Sequence, residues 1–166
     1  RITPEWVQKR IGKIFHEAGR GDIDLYVATS RRTSAAAENA VRRMAANSDN
    51  VRFLLLASAD PFNPVPGMLG ACDAVFVTAD SVNMVSEAVT AGHRAVLLRT
   101  ERVGRIKPSA QRATAALVSA GLLPRRLLWG VPRFDETFRS FEKMGLLVEF
   151  PEWLKERRRN DLSPFA

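Results

Sequence analysis

Three short stretches carry side chains whose types and spacing suit the binding of an anion. In the first, Thr78, Asp80, Ser81 and Val82 follow an apolar run, and Asp80 and Ser81 are both preferred helix N-cap residues. A helix opening there offers free N–H groups and the positive end of its dipole. Glu87 lies about 9 Å along that helix from Ser81 at 1.5 Å per residue, on the same face as Asn83. That position suits a ligand seated beside an anion at the helix start, and an ordinary solvated carboxylate, or one paired with a nearby arginine, is an equally good reading. In the second stretch, Ser30-Arg31-Arg32-Thr33 stands where a strand gives way to a helix. Two guanidiniums, two hydroxyls and free N–H groups suit phosphate, and a capping segment with solvated arginines is the plainer reading. In the third, Asn63 lies among prolines, where its side chain can fix the loop by bonding to backbone. Those prolines make a stiff wall against which a nucleobase could lie.

Other chemistries find little support. Cys72 is the single cysteine, which excludes an internal disulfide and a cysteine-based metal site. No His, Cys and carboxylate cluster has metal-ligand spacing, so no metal and no cofactor are expected. His16 and His93 read as surface residues. No nucleophile elbow and no Walker loop is present.

The elements that must position these residues are legible in the hydrophobic pattern. Ala74–Thr78 and Ala95–Leu98 are apolar runs without polar alternation, which read as strands buried on both faces. Between them Val82, Val85 and Val89 fall at helical spacing beside Ala88, and Gly92 ends the helix. This is a strand–helix–strand unit whose helix opens at the carboxyl end of a strand, where open α/β sheets bind ligands. Upstream, Thr3 and Pro4 open an amphipathic helix to Ala18, Leu25–Thr29 reads as a strand, Ser34–Ala46 as a helix and Val51–Leu56 as a strand. Three prolines make Ser58–Gly67 irregular, and Met68–Cys72 reads as one helical turn. Downstream come a loop from Thr100 to Pro108 with Arg99, Arg102, Arg105 and Lys107, then a helix from Ser109 to Ala120 ended by Gly121. Leu127–Trp129 reads as a short edge strand, Asp135–Met144 and Pro151–Arg159 as helices. The expected fold is α/β, a Rossmann-like open parallel sheet with helices on both faces. One domain is expected over residues 1–159, with a loose tail over 160–166. One sheet holds the four strands, and the three stretches follow their carboxyl ends around a shared cleft.

The chain has 166 residues, 46% hydrophobic and 26% charged, which is ordinary for one globular domain. No apolar run reaches the roughly 20 residues of a membrane span, and no signal-peptide pattern opens the chain. Arg1 in place of Met suggests a fragment. The net charge is +7, and 20 of the 25 basic residues are arginine. That surplus reads as a solvated surface shaped by genome composition, with nucleic acid or anionic lipid as the other candidates. No zinc finger, helix-turn-helix or RNA-binding aromatic pattern accompanies it. A cytoplasmic chain is expected, with a peripheral position at a membrane surface as the second setting.

Thr29–Thr33, Asn63–Leu69 and Ala79–Ala88, in that order, resemble the mitochondrial-fission ELM-type family, long catalogued as a domain of unknown function. That family is in turn similar to the carboxyl-terminal half of GT-B glycosyltransferases. The resemblance implies that the strand–turn–helix at Thr78–Glu87 holds the diphosphate of a sugar nucleotide, with Glu87 matching the glutamate that binds ribose. It implies a missing amino-terminal Rossmann-like half, and a nucleotide-diphosphate sugar or other phosphate-bearing small molecule as partner. A non-enzymatic, protein-binding role is the alternative it carries. The chain departs from GT-B enzymes where Asp80 and Ser81 replace the glycine of the helix-opening turn. It departs from the family in having Gly92-His93-Arg94 where Gly-Lys-Pro is usual.

Overall fold

A computed structural model describes residues 2–21, 23–100, 116–118, 120–122 and 131–161. The chain divides into two compact units, Arg1–Val75 and Phe76–Ala166.

The first unit opens with a helical rod: α1 (Pro4–Trp6), a π-helical turn (Val7–Ile11) and α2 (Gly12–Arg20). Thr3 caps it, its hydroxyl accepting from Trp6 N–H at 3.2 Å, and Pro4 fills the first helical position, where no N–H is needed. The π-helical turn was not expected from the sequence. Strand β1 (Leu25–Ala28), helix α3 (Ala35–Ala46) and strand β2 (Val51–Leu55) follow. Strands β1 and β2 pair in parallel, Tyr26 beside Phe53 and Ala28 beside Leu55. Trp6, Val7, Ala18, Ala37, Ala40, Val41, Leu55 and Leu56 make the core. The loop after β2 runs only to Pro64, because α4 (Val65–Ala71) begins at Val65 rather than at Met68. Prolines at the cap and in the first turn do not obstruct a helix start, since those N–H groups have no intrahelical acceptor.

The second unit holds β3 (Val75–Thr78, starting at the boundary), α5 (Val82–Thr90), β4 (Ala95–Leu98), α6 (Val131–Lys143), β5 (Leu147–Glu149) and α7 (Phe150–Asp161). The strand order is β3-β4-β5. Ala79 N–H donates to Leu98 O at 2.9 Å, which puts the carboxyl ends of β3 and β4 side by side, as in a parallel pair. Strand β5 pairs in parallel with β4 through Ala95–Leu147, Val96–Val148 and Leu97–Glu149. Every residue of β4 is buried, as its unbroken apolar run requires. Gly92, with φ +91°, ends α5 in a Schellman turn: His93 N–H donates to Ala88 O and Gly92 N–H to Val89 O, each at 3.0 Å. Phe76 packs edge-on against Phe150 and Trp153, with centroids 6.1 and 4.9 Å away. Helix α7 continues through Asp161, past the point at which a tail was expected.

The class is therefore mixed α/β, with parallel strands in open sheets flanked by helices, a Rossmann-like arrangement. Three expectations need correction. The four anticipated strands lie in two hydrogen-bonded sheets, β1-β2 and β3-β4-β5, rather than one. Strand β5 was read as part of the connection between two helices. The buried pair on α5 is Val85 with Ala88, both fully buried, while Val89 is half-exposed. The Ser109 helix start, the Leu127–Trp129 strand, and Arg102, Arg105 and Lys107 lie outside the described residues. The end of that helix is described: Gly121, with φ +74°, closes it.

Candidate functional site

The anticipated residues fall into two groups, one in each unit. In the second unit, Thr78, Asp80, Ser81, Val82 and Glu87 run from the carboxyl end of β3 into α5. Ser81 occupies the N-cap position with φ −129° and ψ 92°, but its side chain caps nothing. Its own N–H turns back to Thr78 O at 3.2 Å. The expected Ser81 cap is thus absent, and the first-turn N–H groups of α5 are left for an outside acceptor. The contrast within the chain is direct, since Thr3 and Ser34 both cap their helices through side-chain oxygens. Asp80, Asn83 and Glu87 are exposed. The Glu87 carboxylate takes no ion pair or hydrogen bond among the described residues. The anchoring face is buried through Val85 and Ala88, so the helix is held against the unit while Glu87 stays in solvent.

In the first unit, Ser30, Arg31, Arg32 and Thr33 form a closed turn. Thr33 N–H donates to Ser30 O at 2.8 Å, Ser30 N–H to Thr33 Oγ1 at 3.1 Å, and Arg32 N–H to Ser30 Oγ at 3.3 Å. The two hydroxyls lie 3.3 Å apart. The N–H groups expected to face phosphate at Ser30, Arg32 and Thr33 are therefore spent inside the turn, because hydroxyls so close to the backbone compete with any ligand. What the turn does present is two exposed guanidiniums, Arg31 and Arg32. Asn63 does what loop chemistry favours, its Oδ1 accepting from Val65 N–H at 3.2 Å. Asp60 makes the matching turn three residues earlier, accepting from Phe62 N–H at 2.8 Å. Between them Phe62 stands 64% exposed.

Two features were not read from the sequence. Glu38, on the first turn of α3, is only 3% exposed. Its Oε1 accepts from the Thr29 hydroxyl and from Ser58 N–H at 3.4 Å, and Thr29 Oγ1 accepts from Ala57 N–H at 2.9 Å. Burial pushes the Glu38 carboxyl up, but the hydrogen bonds from Ser58 and Thr29 and the charge of Arg42 outweigh it and hold it below the usual range. The second is the setting of Arg99, at the end of β4. It donates from Nε to Glu149 at 2.8 Å and from Nη1 to Asp135 at 2.8 Å, and lies over the Phe138 ring at 5.6 Å. This arginine is engaged with its own unit, and burial and these carboxylates act on its charge in opposite senses, the carboxylates prevailing.

An open groove also runs along the first unit between the opening rod and α3, lined by Phe15, His16, Arg20, Arg43, Met44 and Asn50 among others. None of the anticipated residues lines it. Among the described residues no group of three or more His, Cys, Asp or Glu could hold a metal ion. No helix among them is long and apolar enough to cross a membrane. Cys72 is half-buried, and burial with Asp73 beside it pushes its thiol up, away from reactive thiolate.

Compared with protein families, residues 1–144 match the family described as Mitochondrial fission ELM1. The match spans both groups of residues. Comparison with curated proteins and with solved structures gives no match.

Proposed function

The chain belongs to the mitochondrial fission ELM1 family, and from that premise we propose that it binds a nucleotide-diphosphate sugar, or a closely similar phosphate-bearing small molecule, at the opening of α5. The observation that carries the reading is the uncapped start of α5 directly after β3, with Glu87 exposed two turns further on. The diphosphate takes the first-turn N–H groups and the dipole end, where anions are stabilised by about 0.3–1 kcal/mol at an exposed site. Thr78 and Val82 flank that position. The Glu87 carboxylate accepts from the two ribose hydroxyls in charge-assisted hydrogen bonds. Asp80 is exposed beside the diphosphate and repels it, so a divalent cation shared between them raises affinity. Arg31, Arg32, Ser30, Thr33 and Asn63 form the second group, in which the two guanidiniums are the phosphate-binding members.

This is a binding role of GT-B type, with no residue assigned as catalytic base. The test is a thermal-shift screen against nucleotide-diphosphate sugars, with and without Mg2+. A ligand at 100 times its dissociation constant stabilises by about 2.7 kcal/mol. A screen in which none of them raises the melting temperature removes the reading and favours a protein-binding, non-enzymatic role.

A further inference from the structure

Glu38 is the buried charged side chain among the described residues of the core, and nothing proposed for α5 uses it. Its bonds form a short chain across three segments. Ala57 N–H donates to Thr29 Oγ1, the Thr29 hydroxyl donates to Glu38 Oε1, and Ser58 N–H donates to the same oxygen. Because Thr29 Oγ1 accepts from Ala57, its single proton is directed to Glu38. An oxygen that takes two donors has no place for a proton of its own, so Oε1 serves purely as an acceptor. Thr29 also closes the strand ladder, its N–H donating to Leu55 O at 3.0 Å. The carboxylate therefore ties the exit of β1, the exit of β2 and the first turn of α3 at one point.

Two loops leave from that point. One is the self-closed Ser30–Thr33 turn bearing Arg31 and Arg32. The other is the Ser58–Pro64 segment, stiffened by the Asp60 and Asn63 side chains and presenting Phe62. Each is internally fixed, and each is joined to the unit through Glu38. Phe62 is four residues from Ser58, so the chain confines it to within about 14 Å of that anchor. We propose that Glu38 is a positioning residue that makes these two loops a single rigid body, holding the Arg31–Arg32 turn and Phe62 in a constant relation. The inference stands on the geometry of the first unit and holds whether or not α5 takes a nucleotide.

Amide hydrogen exchange on the whole chain, read by NMR, tests it with four proteins: wild type, Glu38→Leu, Thr29→Val and Thr29→Ser. Losing one charge-assisted bond from a buried network is worth about tenfold or more in local opening. Glu38→Leu and Thr29→Val are expected to raise exchange at least about tenfold at Ala57 and Ser58, and at Thr33 in the other loop. Thr29→Ser, which keeps the hydroxyl, should stay within about twofold of wild type. Val41 and Leu55 in the core should hold their protection in all four. If Glu38→Leu fails to fold, the Thr29→Val and Thr29→Ser pair decides by itself. Faster exchange in one loop alone, an equal rise at Val41 and Leu55, or no difference between the Thr29 variants overturns the proposal.

Discussion

Arg99 offers a sharp test of how the second unit is held together. Its guanidinium joins three elements: its own strand end at β4, Glu149 on β5 and Asp135 on α6, with Glu142 of α6 further off at 4.0 Å. Replacing it with Met keeps an apolar stem over Phe138 and removes the charge and the donors. A fully desolvated charge-assisted hydrogen bond is worth about 1.5–3 kcal/mol, and an exposed ion pair about 0.2–1 kcal/mol. The Arg99 side chain is 35% exposed and its two close partners are 22% and 36% exposed, so each contact belongs between those limits. Two such contacts, with a cation–π term of about 0.5–1 kcal/mol, put Arg99→Met at about 2–3 kcal/mol. For a chain of this length that is a fall in melting temperature of roughly 4–12 °C. Urea unfolding followed by circular dichroism at low and at high salt is the assay. The loss should shrink with salt, because partly exposed charges are screened. A loss under about 0.5 kcal/mol, or one that salt leaves unchanged, would refute the view that these carboxylates hold β4 to α6 and β5.

Three further outcomes follow from particular positions. Val85→Ala should cost about 1–3 kcal/mol through lost burial and a small cavity, while Thr90→Ala, on the exposed face, should cost under about 0.5 kcal/mol; equal losses in urea would show that α5 faces the other way. Gly92→Ala should cost about 1–2 kcal/mol although nothing lies within 4 Å of the added methyl, since the cost is that of φ +91°; wild-type stability in the same assay would contradict it. Glu38 has a folded-state pKa below its unfolded value, so its contribution is present above an unfolded Glu value of about 4.3 and lost as pH falls through the folded one. Stability measured from pH 6 down to pH 2 should drop less steeply in Glu38→Leu than in wild type, and identical slopes would show that the carboxyl is not held ionised.

Much of this arrangement was legible because local chemistry and tertiary demand agree. Thr3 reads as a cap and caps; Gly92 and Gly121 read as helix ends and take positive φ; Ala95–Leu98 reads as a doubly buried strand and is one. Two of the misses, Glu38 and β5, have a common cause, in that contacts distant in sequence decide them. Glu38 looks like an ordinary glutamate in the first turn of a capped helix, where its charge suits the dipole. Only the return of Ala57 and Ser58 over it, after β2, makes it a buried anchor. Strand β5 is three residues long and is followed directly by Phe150 and Pro151 of a helix, too short a run to show a period of its own. Its pairing with β4 is what makes it a strand. Ser81 has the residue type of a cap and not the bond, because cap preference states what a side chain can do and not what a turn leaves it facing. The same competition disarmed the N–H groups of the Ser30–Thr33 turn, whose hydroxyls satisfy them from within.

The central claim, that α5 receives a nucleotide diphosphate with Glu87 on its ribose, is tested most directly by calorimetric titration of the whole chain and its Glu87→Gln variant. The titrant is the nucleotide-diphosphate sugar that most raises the melting temperature. Gln keeps the shape and gives up the charge, and a lost charge-assisted bond of about 1.5–3 kcal/mol corresponds to at least about tenfold in affinity. Because Glu87 is exposed and unpaired among the described residues, the variant should unfold within about 0.5 kcal/mol of wild type. At least tenfold weaker binding at unchanged stability is the predicted result; equal affinity of the two proteins would contradict it.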